Sequence, residues 1–205
     1  VADAGTTPFQ AAKRAGLEVG DNVVVIGIGG VGQYMVQIAK ALGAGCVIAV
    51  DINQERLDKM LSYGADVAIN SMGKSIKDVV GEFKGIQKQL GLPGFGWKIF
   101  EVSGTRPGQE TALALLSFTG KLMIVGFGMQ KVEYSISRLM AFDAEIIGTW
   151  GCLPEYYPRV LSMVLSGKID LAPFVQTRPM STIVEAFEEA HSRSPEKRMV
   201  LVPDF

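Results

Sequence analysis

Histidine and cysteine are scarce in this sequence. Its 205 residues contain one histidine, His191, and two cysteines, Cys46 and Cys152. This excludes a disulfide framework and a cysteine-rich zinc site, and it fits a reducing cytoplasm. Any histidine-dependent triad or proton relay within the chain must use His191. That residue ends an amphipathic segment, residues 181–191, and we interpret it as the last turn of a capped helix.

The sequence also has no marked excess of positive or negative charge and no long apolar run. The chain has 20 Lys and Arg against 21 Asp and Glu, a formal net charge of −1. Such a balance lacks the excess positive charge that attracts nucleic acid or an anionic membrane. No apolar run approaches the roughly 18 residues of a membrane span, and no signal segment opens the chain. We therefore expect a cytoplasmic protein without nucleic-acid or membrane partners. Because the sequence begins at Val1, we expect a piece of a longer protein.

A glycine-rich turn between an apolar run and an amphipathic segment is the most informative stretch. The β-branched run over residues 23–26 predicts a buried parallel strand, and residues 34–40 predict a helix. The turn matches G-x-G-x-x-G, in which the glycines allow a tight turn, backbone approach to a pyrophosphate and close helix packing. A diphosphate would lie at the helix N-terminus. The turn comprises Gly27, Gly29, Gly30, Val31 and Gly32.

An acidic residue at the end of the next predicted strand strengthens this interpretation. Residues 46–50 are apolar and lead into Asp51. The distance from the glycine turn is the roughly 20 residues at which a dinucleotide-binding βαβ unit places the acid that binds a ribose. The pattern predicts dinucleotide binding. Two alternatives stay open: a structural turn with an unrelated acid, and a methyltransferase that holds S-adenosylmethionine with a similar loop.

Alternating strand and helix patterns predict an α/β fold, a Rossmann-type doubly wound parallel sheet with helices on both faces. The tail after residue 150 need not join that sheet. The predicted strands are residues 23–27, 46–51, 66–70, 98–102, 122–126 and 144–149, with two more at 172–177 and 199–202. The predicted helices are residues 8–14, 30–43, 54–63, 75–89, 109–118, 154–166 and 181–191.

Ligands of such sheets bind at the carboxyl ends of the strands. This places the glycine turn, Asp51 and residues 102–104, 125–127 and 149–150 along one rim. The glycines of the rim either let a flat cofactor approach the backbone or simply form turns. For Gly104 and Gly126 the two explanations are equally good.

Several segments together resemble the medium-chain dehydrogenase/reductase superfamily, in its zinc-type alcohol dehydrogenase branch. The resemblance lies in residues 6–9, the glycine turn, and residues 51–56, 101–104 and 198–201. It spans essentially the whole chain but only the later part of a family subunit, without the N-terminal catalytic domain. It implies a lead-in from that domain over residues 1–22, an NAD-binding domain over 23–153 and a return to the catalytic domain over 154–205.

The resemblance also implies NAD as cofactor and roles for individual residues. The glycine turn would hold the diphosphate, Asp51 the adenosine ribose, and other side chains the adenine and nicotinamide sides. No catalytic residue is implied within the chain. The implied cofactor-binding residues are Thr7, Gly27, Gly29, Gly30, Val31, Gly32, Asp51, Ile52, Arg56, Val102, Gly104, Val125, Phe127, Thr149 and Arg198.

Asp3 stands where family members usually supply a zinc ligand, often cysteine. Aspartate can ligate zinc, so the resemblance implies that Asp3 is one ligand of a zinc ion in the full-length protein. A catalytic zinc needs about three protein ligands. We therefore expect that Asp3 holds no metal in this chain by itself.

More narrowly, residues 143–157 and 198–205 resemble the 6-hydroxycyclohex-1-ene-1-carbonyl-CoA dehydrogenases, NAD-dependent enzymes of anaerobic benzoyl-CoA degradation. The implied function is hydride transfer between NAD and a small alcohol or hydroxyacyl-CoA. The chain alone is expected to bind NAD without turnover. By resemblance we also expect a homo-oligomer through a sheet edge near residues 131–150. The alternative is a dinucleotide-binding or sensing module without chemistry of its own.

Overall fold

The computed structural model describes residues 1–192 and 197–205. Six strands form one parallel sheet in the order β3-β2-β1-β4-β5-β6. The expected Rossmann-type α/β architecture is therefore confirmed. These strands are β1 Asn22–Ile26, β2 Cys46–Asp51, β3 Val67–Asn70, β4 Lys98–Glu101, β5 Lys121–Ile124 and β6 Glu145–Gly148. The helices are α1 Thr6–Arg14, α2 Gly32–Ala41, α3 Gln54–Leu61, α4 Ile76–Leu90, α5 Arg106–Leu115, α6 Ser137–Phe142, α7 Tyr157–Leu165 and α8 Ile183–Ser192.

The central strand β1 is buried on both faces, as its unbroken apolar sequence predicts. Val23 and Val25 belong to the hydrophobic cluster that packs against α1, α2 and α3. Val24 and Ile26 belong to a second cluster, shared with α4 and α5. Successive side chains of a strand point to opposite faces, so one apolar run supplies both layers of the core. Helices thus cover both faces of the sheet.

The C-terminal part forms its own small sheet. Strands β7, Val175–Pro179, and β8, Arg198–Val202, pair in parallel and do not join the six-stranded sheet. Phe174, just before β7, is buried, with its ring centroid 4.8 Å from Tyr63 and 5.8 Å from Tyr34. This aromatic contact attaches the segment before β7 to the helical layer over the main sheet.

Some helix boundaries differ from those expected, and local hydrogen bonds explain two of them. The helix expected over 109–118 begins at Arg106, because the Thr105 side chain accepts a hydrogen bond from the Gly108 N–H and caps it there. The last helix was expected to begin at Ser181. The N–H and hydroxyl of Ser181 instead donate to the Asp204 carboxylate, and α8 begins at Ile183.

Two other expectations were wrong about the presence or position of an element. Helix α6 was not predicted, because it has only six residues. The strand expected over 172–177 is a short 3-10 turn over 172–174 followed by β7. Of the helices that the structure describes, none is long and apolar enough to cross a membrane.

Candidate functional site

A cleft of about 420 Å³ opens at the carboxyl ends of β1, β2 and β4. Its walls come from the glycine turn, the end of β2, the start of α3 and the β4–α5 turn. The structure thus brings together most residues expected on the adenosine and diphosphate side. Those that line the cleft are Gly27, Gly29, Gly30, Val31, Asp51, Ile52, Arg56 and Val102.

Two glycines of the turn are required by the packing of the chain itself. Gly27 has a φ of +89°, and a Cβ there would lie 2.7 Å from the backbone of Ser103. A Cβ on Gly32 would lie 1.8 Å from the carbonyl oxygen of Gly27. Any side chain at either position would push α2 away from β1 or from the β4–α5 turn. These contacts account for the first and third glycines of the motif without any ligand.

Gly29 is different, because a Cβ added there would meet no described atom within 4 Å. It lines the cleft and its φ is not positive, so no contact or backbone angle in the described part of the chain requires glycine at this position. Close approach of a ligand to the backbone would require it. The N-terminus of α2 also has no side-chain cap, whereas Asn53, Ser75 and Thr105 cap α3, α4 and α5. The dipole of α2 favours an anion at this N-terminus.

Asp51 links the glycine turn to the end of β2. Its Oδ2 accepts a hydrogen bond from the Ile28 N–H at 2.5 Å, and its Oδ1 accepts one from the Asn53 N–H at 2.9 Å. The residue is only 8% exposed, yet it lines the cleft. The backbone amides therefore hold a carboxylate at the place where a ribose would have to bind. Each carboxylate oxygen keeps acceptor capacity for a ligand hydroxyl.

A second cleft of about 370 Å³ continues the rim past β4 and β5. Val31 and Val102 line both clefts, so the two spaces are neighbours along one edge. Gln10, which is buried, donates to Thr149 Oγ1 and to the Trp150 carbonyl at 3.1 Å each, and this fixes the far wall. The expected nicotinamide-side residues that line this cleft are Thr7, Val125, Phe127 and Thr149.

Three expected site residues lie outside both cleft linings. Gly32 is enclosed at the start of α2. Gly104 has a φ of +63°, and a Cβ there would lie 2.3 Å from the Phe127 carbonyl oxygen. Gly126, which does line the second cleft, packs against the same turn: a Cβ on it would lie 2.2 Å from the Gly104 nitrogen. Both of these rim glycines are therefore explained by the packing of two turns against each other. Arg198, the third, lies beside the glycine turn, with Nη1 3.7 Å from the Cβ position of Gly30.

Asp3 is engaged by neighbours in this structure. Its Oδ2 accepts a hydrogen bond from Arg198 Nη2 at 2.7 Å, and its Oδ1 accepts one from the Thr7 hydroxyl at 3.3 Å. Within residues 1–192 and 197–205, no group of three or more His, Cys, Asp or Glu side chains could hold a metal ion. The residues present therefore do not fit a zinc ion, and we derive no chemistry through one. His191 is exposed in the last turn of α8, as expected.

Sequence reasoning missed several residues that line the first cleft. Ser71 follows β3, Thr105 caps α5, and Gly108 lies in the first turn of α5. Their position after predicted strands was a usable signal, since strand ends meet at one rim. Glu101, the last residue of β4, is fully buried and was also missed. Nothing in a β-strand pattern marks a buried glutamate as special.

The fold and the rim geometry define an α/β protein of the Rossmann type. The chain belongs to the zinc-binding dehydrogenase family, which matches residues 30–166. The superfamily that the sequence resembles is thereby confirmed.

Full-length relatives include polyol dehydrogenases. The chain is 30% identical to a sorbitol dehydrogenase from Bombyx mori over 196 residues, which are 95% of this chain and 55% of that protein. It is 28% identical to a D-xylulose reductase from Saccharomyces cerevisiae over 186 residues, 88% of this chain and 50% of that protein. The chain thus spans about half the length of these relatives.

Solved structures agree on the fold. Galactitol-1-phosphate dehydrogenase from Escherichia coli superposes with a TM-score of 0.85 at 23% identity, over 98% of this chain and 59% of that one. A zinc-binding dehydrogenase from Sinorhizobium meliloti 1021, solved bound to NADP, gives a TM-score of 0.84 at 20% identity, over 98% of this chain and 58% of that one. At these identities the likeness establishes the fold alone.

Two glycine substitutions should separate packing from ligand approach. We expect Gly29→Ala to leave the free energy of unfolding within about 0.5 kcal/mol of the original chain, because the added methyl group meets open space. Gly32→Ala should lower it by roughly 3 kcal/mol, because the methyl group collides with the Gly27 carbonyl. Urea unfolding measures both.

In calorimetry Gly29→Ala should bind NAD roughly tenfold more weakly or worse, a loss of about 1.4 kcal/mol. Unchanged NAD affinity in Gly29→Ala would contradict a ligand role for this position.

Proposed function

We propose that this chain is the cofactor-binding part of an NAD-dependent dehydrogenase, in which hydride passes between an alcohol carbon and the bound dinucleotide. The observation that carries the proposal is the pairing of Gly29 with Asp51 in one cleft. Gly29 leaves backbone open to a phosphate, and Asp51 offers a buried, amide-anchored carboxylate to a ribose. Together they match the diphosphate and the ribose of a bound ADP moiety.

We assign the two neighbouring clefts to the two halves of the dinucleotide. The 420 Å³ cleft would take the adenosine and diphosphate, and the 370 Å³ cleft, with Thr7, Phe127 and Thr149 in its wall, the nicotinamide. Arg198 lies near enough to Gly30 to approach a diphosphate. The division at residues 22 and 153 into lead-in, NAD-binding domain and return segment belongs to the same proposal.

The substrate we propose is a small alcohol. The relatives named as sorbitol dehydrogenase and D-xylulose reductase support a polyol-like alcohol. The resemblance of residues 143–157 to 6-hydroxycyclohex-1-ene-1-carbonyl-CoA dehydrogenases supports a cyclic hydroxyacyl-CoA instead. A hydroxyacyl-CoA remains our specific candidate, and zinc, with Asp3 as one ligand, is proposed for the full-length protein only.

A module that binds a dinucleotide without chemistry is the second candidate for the chain in isolation. The observation that favours it is the pairing of Asp3 with Arg198 and Thr7, together with the absence of a metal-binding cluster among the described residues. An S-adenosylmethionine-binding domain is a third candidate, supported only by the shared loop and acid. Titration with S-adenosylmethionine distinguishes it, since the proposed function requires tighter binding of NAD.

Asp51 should make the chain select NAD over NADP. Its carboxylate can accept hydrogen bonds from the ribose hydroxyls and would repel a 2′-phosphate. One charge-assisted hydrogen bond is worth roughly 1.5–3 kcal/mol, so NAD should bind roughly tenfold or more tightly than NADP. Titration calorimetry with both cofactors measures the ratio.

Asp51→Gly should bring the two affinities closer together, mainly by weakening NAD binding. Asp58→Asn is the matched control, because Asp58 lies on α3 and its carboxylate bonds Gln54 rather than the glycine turn. It should keep the original ratio. Equal or tighter binding of NADP by the unsubstituted chain would refute the selectivity, as would an Asp51→Gly variant that keeps the full NAD preference.

The 205-residue chain should bind NAD yet oxidise no alcohol. As hydride leaves, the alcohol proton must leave too, and the developing alkoxide needs a metal or another positive group. Asp3 is already paired, and His191 is exposed at the end of α8. The measurement pairs NAD calorimetry with NADH absorbance across simple alcohols, polyols and cyclic hydroxyacyl-CoA esters. Sustained turnover by the purified chain would disprove the expectation, and failure to bind NAD would remove the proposed function.

We also propose that two copies associate through the edge of β6. Within residues 1–192 and 197–205, this strand pairs only with β5, so its other side carries backbone groups that no described strand pairs, of the kind that attract a partner strand. The N–H groups of Glu145 and Thr149 donate toward β5. Because N–H groups alternate in direction along a strand, that of Ile146 points to the open edge.

Ile146→Pro should therefore dissociate the dimer while leaving the bonds to β5 in place. Ile146→Ala keeps the outward N–H and is the control, which should remain dimeric. Sedimentation velocity at micromolar concentration reports the state of each. A monomeric unsubstituted chain, or a dimeric Ile146→Pro variant, would show that β6 is not the interface.

A further inference from the structure

Glu101 is a carboxylic acid buried at the end of β4, with 0% exposure. Its Oε1 accepts three hydrogen bonds: from the Ser103 N–H at 2.9 Å, the Ser103 hydroxyl at 2.5 Å and the Gly104 N–H at 3.1 Å. Its Oε2 is also buried, and none of the described residues forms a hydrogen bond with it. One oxygen of the carboxyl group therefore organises the β4–α5 turn, while the other has no partner in that part of the chain.

The backbone of the same residue organises the next turn of the rim. The Glu101 carbonyl oxygen accepts hydrogen bonds from the N–H groups of Val125 and Gly126, at 2.9 Å each. Ser103 lines the cleft proposed for adenosine, and Val125 and Gly126 line the cleft proposed for nicotinamide. Glu101 is thus bonded to both walls, although it touches neither cleft itself.

The two turns also pack tightly against each other and against α5. A Cβ on Gly128 would lie 2.1 Å from the Gly104 carbonyl oxygen, and one on Gly108 would lie 2.1 Å from the Ser103 hydroxyl oxygen. A shift of the Ser103 hydroxyl would therefore displace the first turn of α5, and a shift of Gly104 would displace the turn after β5. Losing the Glu101 acceptor should move both cleft walls together.

The electrostatics of the site oppose ionisation of Glu101. Burial raises the pKa of the Glu101 carboxyl, and the hydrogen bonds from Ser103 and Gly104 lower it by less, so the net direction is upward. Among the described residues, no charged side chain contributes to this shift of the pKa, whose causes are burial and the hydrogen bonds from Ser103 and Gly104. An anion here would be buried without a cation, which is the costly arrangement.

We propose that Glu101 is a positioning residue of the dinucleotide site, which holds the turns after β4 and β5 in place as a neutral carboxylic acid. That the bound ligand is a dinucleotide rests on the proposed function. The role of Glu101 rests on the hydrogen bonds and burial described above. A neutral acid keeps Oε1 as a carbonyl acceptor for all three donors and places no charge beneath a diphosphate-binding rim. Glutamine has the same shape and keeps the Oε1 acceptor, so it should preserve the positions of the two turns; its amide N–H groups replace Oε2, which none of the described residues bonds, so it should lower the stability of the fold.

The first experiment measures NAD affinity at pH 6 by calorimetry, below the unfolding temperature of every variant. We expect Glu101→Gln to bind NAD within about twofold of the original chain. Glu101→Leu, which removes the acceptor and leaves buried N–H and O–H donors unsatisfied, should bind roughly tenfold more weakly or worse. Glu82→Gln is the control, because Glu82 is a partly exposed residue of α4 paired with Lys74, and it should change nothing.

The second experiment compares the Tm of the original chain and Glu101→Gln from pH 5 to 8. An acid whose pKa is raised on folding binds more protons in the folded than in the unfolded state. Its folding stability therefore falls as pH rises from the ordinary value of 4.5 toward the raised pKa and then levels off. Glutamine does not ionise. The Tm of Glu101→Gln relative to that of the original chain should therefore increase from pH 5 to pH 8.

The outcomes separate the inference from the proposed function. If the original chain binds no NAD, the proposed function fails, and the Tm comparison still decides whether Glu101 is neutral. If Glu101→Leu is folded and binds NAD as well as the original, Glu101 does not position the site. If Glu101→Gln is less stable by a constant amount from pH 5 to 8 and loses NAD affinity, the residue acts as a carboxylate and the proposal is overturned.

Discussion

Close backbone packing between Gly27 and Gly32 is the constraint on which the rest of this structure depends. The Cβ position of Gly32 falls 1.8 Å from the Gly27 carbonyl oxygen, so the turn between β1 and α2 exists only with glycine there. This turn lets α2 start directly after the end of β1, next to the cleft. The same turn presents Ile28 N–H to Asp51 and so joins the ends of β1 and β2.

Hydrogen bonds also link neighbouring strand ends along the rim of the sheet. Asp51 connects β1 and β2, and Glu101 connects the turns after β4 and β5. In both cases an acidic side chain at a strand end accepts bonds from backbone amides. Asp51 lines the cleft and is available to a ligand, whereas Glu101 is sealed beneath it. One acid is thus suited to recognition and the other to holding the walls.

The contrast among the glycines shows which positions carry functional information. Gly27, Gly32, Gly104 and Gly126 are each explained by contacts within the chain, so their presence says little about a ligand. Gly29 alone in the motif's G-x-G-x-x-G faces open space. Family membership and the Rossmann fold agree with a nucleotide at this place, and the local physical argument for it is that position 29 is glycine although no contact among the described residues requires one.

The amino-acid sequence by itself determined the alternating α/β pattern, the parallel sheet and the glycine turn with its acid. These features follow from periodicity and spacing along the chain, which local physics controls. Tertiary structure alone decided that the Gly104 and Gly126 turns pack on each other, that Asp3 pairs with Arg198, and that Glu101 is buried beneath both clefts. Each of these contacts joins strand ends or termini that are distant in sequence, so no local pattern encodes it.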